Sequence, residues 1–302
     1  MKNRRKLYLA AILLFIGQTI IAQENNQITI IPFELTDHNN LSIKGVFNKV
    51  DTVNLMFHTD ASSITLTTET IKKITTIKWD TETEVRSWGG KSTARYSENN
   101  FLEISNLKWD SVAIWETKNS GPTTGGKFGP NLFTGKVIEI DFDKSIITIH
   151  QELPKKAKKF TKMNLFFENE SMFIQGTSSI NGIDYQNKFL IHTGYGGTIL
   201  YDDKFAAESK IGEQIEITDV KELKDSYGNV LKTKKGKLPN FTLGNEQFKD
   251  IPVGFFEGSI GRQQISVIGG DLLKRFNIII DSNREHIYMK PNQLRKLAYN
   301  KR

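Results

Sequence analysis

Two His-Thr pairs, His58-Thr59 and His192-Thr193, each close an apolar run and precede a turn of small residues. The first stretch reads Asn54-Leu55-Met56-Phe57-His58-Thr59-Asp60-Ala61-Ser62-Ser63-Ile64-Thr65-Leu66, and the second Lys188-Phe189-Leu190-Ile191-His192-Thr193-Gly194-Tyr195-Gly196-Gly197-Thr198-Ile199-Leu200. Imidazole titrates nearest neutral pH, so two facing histidines could divide the roles of general base and general acid. Asp60 stands two residues past His58 and, if the strand continues, points to the same side. His58, Asp60 and His192 would then be a two-His, one-carboxylate set able to hold zinc or another divalent cation, which in turn would activate a water. The competing reading makes Asp60 a turn residue hydrogen-bonded beside His58. Ser62 and Ser63 offer a Ser–His pairing, against a plainer role as hydroxyls that satisfy the loop backbone. His38, His150 and His286 lie outside the repeated stretch, and nothing in the sequence groups them.

The elements that must position these groups are strands. Leu41 to Phe47 alternates apolar and polar residues, Val53 to Phe57 is a denser apolar run, and Ile64 to Leu66 resumes the alternation. Glu69 to Ile74 fits a helical turn or a further strand. Trp88-Gly89-Gly90 has strand-like flanks and reads as a hairpin tip, with Tyr227-Gly228 in the corresponding place of the second half. Val137 to Phe142 and Ile146 to Ile149 form a hairpin closed by Asp143-Lys144. A second set of spacings supports duplication. Gly129 to Asp141 and Gly269 to Asp281 are both twelve residues, and Asp141 to Ile147 and Asp281 to Ile287 are both six. The two histidines are 134 apart and the two glycines 140, so the second copy has a slightly longer middle. A period this long is a duplicated domain rather than a solenoid.

The chain begins with a basic stretch (Lys2, Arg4, Arg5, Lys6), an apolar run Leu7 to Ile16, and Thr19-Ile20-Ile21-Ala22. That order is a signal peptide over 1–22, cleaved before Gln23, so export to the periplasm or the outside is expected, with no stable membrane anchor afterwards. Four basic residues leave with it, taking the formal charge from +7 to +3. Such a mild excess gives no reason to expect a nucleic-acid partner, and Lys155-Lys156-Ala157-Lys158-Lys159 reads as a solvated linker. With no cysteine, disulfides, thiolate metal sites and Cys nucleophiles are excluded. The division is 23–154 for a first lobe, 155–162 for the linker, 163–293 for a second lobe and 294–302 for a basic tail.

Val267-Ile268-Gly269 with the following Asp271 to Asp281, the looser Phe128-Gly129-Pro130-Asn131-Leu132-Phe133, and the two His-Thr stretches together resemble aspartic peptidases of the pepsin and retropepsin type. In that family an apolar strand ends in Asp-Thr/Ser-Gly-Ala/Ser at the cleft floor, and an apolar-apolar-Gly strand threads the loop that carries it. The resemblance spans about Gln27 to Pro291. It implies an all-β fold of two similar acid-protease-barrel lobes with a cleft between them. It also implies that His58 and His192 occupy the dyad positions, with Thr59, Thr193 and Gly194 kept and Asp60 in place of a glycine. Trp88, Gly89, Gly90, Tyr227 and Gly228 would be flap residues over the cleft. Two carboxylates that share a proton are the family's chemistry, and both are absent at these positions. The expectation is therefore a protease-like protein without conventional activity and without a cofactor, its cleft taking an extended peptide. The alternative is an active hydrolase, acting through Asp60 or through a metal on His58, Asp60 and His192.

Overall fold

The computed structural model describes residues 28–87, 90–224, 230–258 and 263–299. The expected leader and four of the five flap residues (Trp88, Gly89, Tyr227, Gly228) lie outside them. Almost all the regular structure is β, as the alternating runs predict, and the helices are single turns or little more. Among the described residues no helix is long and apolar enough to cross a membrane.

The two halves fold into eight-stranded sheets of the same order. In the first half the neighbours run Glu34–Leu35, Leu41–Phe47, Asp51–Phe57, Gly126–Phe128, Ile64–Thr67, Leu107–Thr117, Gly90–Ile104, Thr81–Ser87. In the second they run Phe166–Glu168, Ser171–Ile180, Ile183–His192, Ser266–Gly269, Ile199–Leu200, Glu246–Gly258, Val230–Leu243, Glu216–Lys224. In each sheet the second strand also pairs with the seventh, which closes six strands into a barrel. Closure removes most of the exposed edge, leaving Glu34–Leu35 and Thr81–Ser87 in the first sheet and Phe166–Glu168 and Glu216–Lys224 in the second as outer strands. Phe57, Phe128 and Leu66 fill the first barrel, and Phe189, Phe241 and Ile268 the second, all fully buried. Each such side chain contributes about 1.5–3 kcal/mol by leaving water.

A third, six-stranded sheet joins the halves. Its order is Thr29–Pro32, Ile146–His150, Val137–Asp141, Phe276–Ile280, His286–Pro291, Thr161–Asn164, three strands from each half. Its centre is the antiparallel pair in which Ile140 faces Ile278 and Ile138 faces Ile280. The lysine-rich segment read as a solvated linker is a 3-10 turn, Lys155–Lys159, lying on the outer face of this sheet. Ala157 is buried there with Val137, Ile279 and Tyr288. Lys156 and the His150 ring both contact the buried Glu139 carboxylate, at 2.5 and 2.8 Å, so a buried charge is matched rather than left bare. The tail is docked too. Arg275, 1% exposed, donates to the carbonyls of Leu294, Arg295, Leu297 and Ala298 and stacks on Tyr299.

Candidate active-site cleft

The strands Asp51–Phe57 and Ile183–His192 run into two loops that fold alike: Ala61 N–H donates to the His58 carbonyl at 3.0 Å, and Tyr195 N–H to the His192 carbonyl at 3.1 Å. Beside each lies the parallel apolar-Gly strand. Met56 is paired with Lys127, and Leu190 with Val267. The glycines that end these strands are required by closeness rather than by backbone angle. A Cβ on Gly129 would stand 1.7 Å from the Ala61 carbonyl oxygen, and one on Gly269 2.4 Å from the carbonyls of Tyr195 and Gly197.

Thr59 and Thr193 lock the two loops together. Thr59 N–H donates to Thr193 Oγ1 (3.0 Å) and Thr193 N–H to Thr59 Oγ1 (3.1 Å). Each hydroxyl then donates across to the other half, Thr59 to the Ile191 carbonyl (2.6 Å) and Thr193 to the Phe57 carbonyl (2.7 Å). Both residues are 1% exposed, so every polar group in this knot is satisfied internally. A second reciprocal contact flanks it. Asn40 and Ser171 occupy equivalent places, each two residues before a matching pair, because Ser42 faces Met56 as Phe173 faces Leu190 across the neighbouring strand. Asn40 Nδ2 donates to the Thr193 carbonyl (2.9 Å), and Ser171 Oγ to the Asp60 carboxylate (2.5 Å).

These contacts bring the His58 and His192 rings face to edge, 4.4 Å between centroids and 65° apart. Gly194 makes the approach possible, since a Cβ there would lie 2.4 Å from His58 Cδ2, 2.5 Å from its Nε2 and 3.0 Å from His192 Cε1. His58 Nδ1 accepts the Asp60 N–H (3.2 Å), which leaves the proton of the neutral ring on Nε2. Burial, then the facing His192, then the Lys127 charge push the His58 pKa down to about 2. Burial also lowers His192, opposed by the Asp60 charge. His192 Nδ1 is buried and has no hydrogen-bond partner among the described residues.

The expected three-ligand metal set does not gather. Asp60 turns its carboxylate to Ser171, and the His58 Nδ1 lone pair is taken by the Asp60 N–H. Among the described residues the acid-and-histidine group whose donor atoms lie within 4.8 Å of one another is Asp281, Glu285 and His286. That group sits in the turn after Phe276–Ile280, away from the cleft, where Asp281 already accepts the Glu285 N–H. No serine hydroxyl hydrogen-bonds to His58 or His192 among the described residues; at Ser62 it is the carbonyl that is used, by Asn131. Of the flap set, Gly90 is described as the first residue of its strand, opposite Ser87.

A cavity of about 790 Å³ opens beside the imidazole pair, lined by Asp60 from the first lobe and on the second-lobe side by residues that include Leu190, His192, Gly194, Tyr195 and Val267. Tyr195 packs with Phe173, Leu190, Val267 and Leu200, and burial pushes its hydroxyl up to about 12. Sequence reasoning passed over Lys127, Asn40 and Ser171. A signal for Lys127 was present: Lys127-Phe128-Gly129 answers Val267-Ile268-Gly269, with a lysine at an apolar position. Asn40 and Ser171 carry no such signal, because only the opposite lobe makes them part of the site.

The chain's fold is that of the pepsin-like aspartic proteinases. The solved aspartic proteinase from Irpex lacteus superposes with a TM-score of 0.58 over 91% of this chain and 100% of that one, at 12% sequence identity. No protein-family model matches the sequence, and no curated protein matches it.

Proposed function

We propose that this chain is an exported, aspartic-proteinase-like protein that has lost two-carboxylate hydrolysis and binds an extended peptide in its cleft. The observation that carries the reading is the pair of uncharged imidazoles, His58 and His192, at the floor where such a fold needs a shared proton between acids. A ring whose Nδ1 is occupied and whose Nε2 bears the proton has no lone pair to offer a water. An imidazole with a lowered pKa is also a weak base, so His192 is a poor substitute for a carboxylate. Peptide binding is supported by the 790 Å³ cleft and by the outer strands Thr81–Ser87 and Glu216–Lys224, whose free edges suit strand addition. Export rests on the leader sequence over 1–22.

The test is to incubate the purified chain, begun at Gln23, with a mixed peptide library from acid to neutral pH, with and without zinc. No new peptide termini should appear, while a subset of peptides co-elutes with the protein. Cleavage that disappears in His58→Ala or Asp60→Ala would overturn the reading. The triple variant His58→Asp, His192→Asp, Asp60→Gly is expected to gain cleavage at acid pH, because it supplies the missing acids and mirrors Gly194. Fractionation of cells making the full chain or a chain lacking 1–22 checks export.

A further inference from the structure

Lys127 is a charge in a place that the other lobe keeps apolar. The strand Gly126–Phe128 runs parallel to Asp51–Phe57 with Lys127 beside Met56, as Val267 lies beside Leu190 in the second lobe. Leu190 and Val267 form a wall of the cleft. By the duplication Met56 and Lys127 hold the matching places in the first lobe, where Met56 is buried and Lys127 is the partly exposed member of the pair. Gly126 and Phe128 point the other way, into the first barrel, where a Cβ on Gly126 would meet Leu66 and Leu55 and where Phe128 is fully buried. Thr65, across the sheet from Lys127, is 9% exposed, and its Oγ1 has no partner among the described residues. The lysine is half-buried and close enough to the floor for its charge to act on both His58 and His192.

Among the described residues the Lys127 ammonium makes no hydrogen bond and no ion pair within 4 Å. The one carboxylate whose charge it feels is Asp60, and that group is occupied by Ser171. A half-buried ammonium without a partner is costly, and an incoming carboxylate removes the cost while forming a charge-assisted hydrogen bond. We propose that Lys127 is a specificity-determining residue of the first lobe, and that it selects a peptide with an acidic side chain at the position lying over Lys127. This rests on the peptide-binding reading above and names the chemistry of the peptide.

The experiment uses fluorescein-labelled octapeptide pools, each with Glu, Gln or Lys fixed at one position and the rest randomised, read by polarisation against the chain begun at Gln23. At one fixed position the Glu pool should bind about tenfold more tightly than the Gln pool, the size of one charge-assisted contact, and the Lys pool more weakly than both. Lys127→Met, an apolar change of similar length, should bring the Glu and Gln pools together, and Lys127→Glu should favour the Lys pool. Circular dichroism of both variants confirms that they fold. Equal binding of Glu and Gln pools to the wild type, or a Glu preference that survives in Lys127→Met, overturns the assignment of Lys127 and leaves peptide binding standing. Failure of every pool to bind overturns the peptide-binding reading, and this inference with it.

Discussion

His58 is uncharged in the folded chain, with its pKa at about 2 where an exposed histidine titrates near 6.5. The consequence for stability has a definite sign. Between those two values the unfolded chain binds a proton at this position and the folded chain does not, so folding loses ground as pH falls below about 6.5. The slope from one such group is on the order of 1.4 kcal/mol per pH unit. His58→Gln is expected to flatten the fall of urea-unfolding free energy between pH 7 and pH 5, relative to the wild type. An unchanged slope would mean that the ring is solvated in the native state. Gly194 is the companion case. Any side chain there strikes the His58 ring at 2.4–2.5 Å, so Gly194→Ala should cost about 1–3 kcal/mol by overpacking. The measurement is urea denaturation, with Asp60→Gly as a change that adds no atom to the floor.

The loops that carry the histidines are held as elements by the crossed threonines. Replacing Thr59 by Val leaves the Thr193 N–H without its hydroxyl acceptor in a buried site and takes one donor from the Ile191 carbonyl. The expected loss is about 2–4 kcal/mol, with Thr59→Ser costing far less because the hydroxyl remains. Thr59→Val removes two of the four crossed bonds and Thr193→Val the other two, all in one knot; once the first change has loosened it, the double variant should cost clearly less than the sum of the singles. Additive losses would mean that the two loops are held separately. Ser171 and Asn40 extend the same device outward, each half placing one hairpin residue on the other half's loop.

At the scale of the whole molecule, neither lobe is complete alone. The strand Val137–Asp141 is hydrogen-bonded on one side to its own hairpin and on the other to Phe276–Ile280 from the second half. Residues 23–154 made alone would expose that second edge with its apolar side chains. The full chain is expected to unfold in urea as one cooperative transition, and the half-chain to show none by circular dichroism unless residues 155–302 are supplied in trans. A half-chain with its own sharp transition would show that the six-stranded sheet is not what holds the lobes together.

Much of this was legible in the chain. Alternating runs determine strands because their side chains point to opposite faces, and two copies of the same run-and-turn determine two lobes of one design. The doubled His-Thr stretch also fixes which residue types meet at the floor, since the spacing of Gly129 and Gly269 marks the strands that thread each loop. The single helix turn Thr68–Ile71 shows the limit of that reading: its residues fit strand or helix by pattern, and the Thr67 side chain accepting the Thr70 N–H decides for helix. The sequence could not decide how the two imidazoles stand to one another, which ring nitrogen keeps its proton, or where Asp60 points. Those follow from contacts between residues more than one hundred positions apart: Thr59 with Thr193, Asn40 with the Thr193 carbonyl, Ser171 with Asp60. Local pattern carries no information about such pairs, because the free energy that sets them arises only when both lobes have closed around the floor and removed it from water.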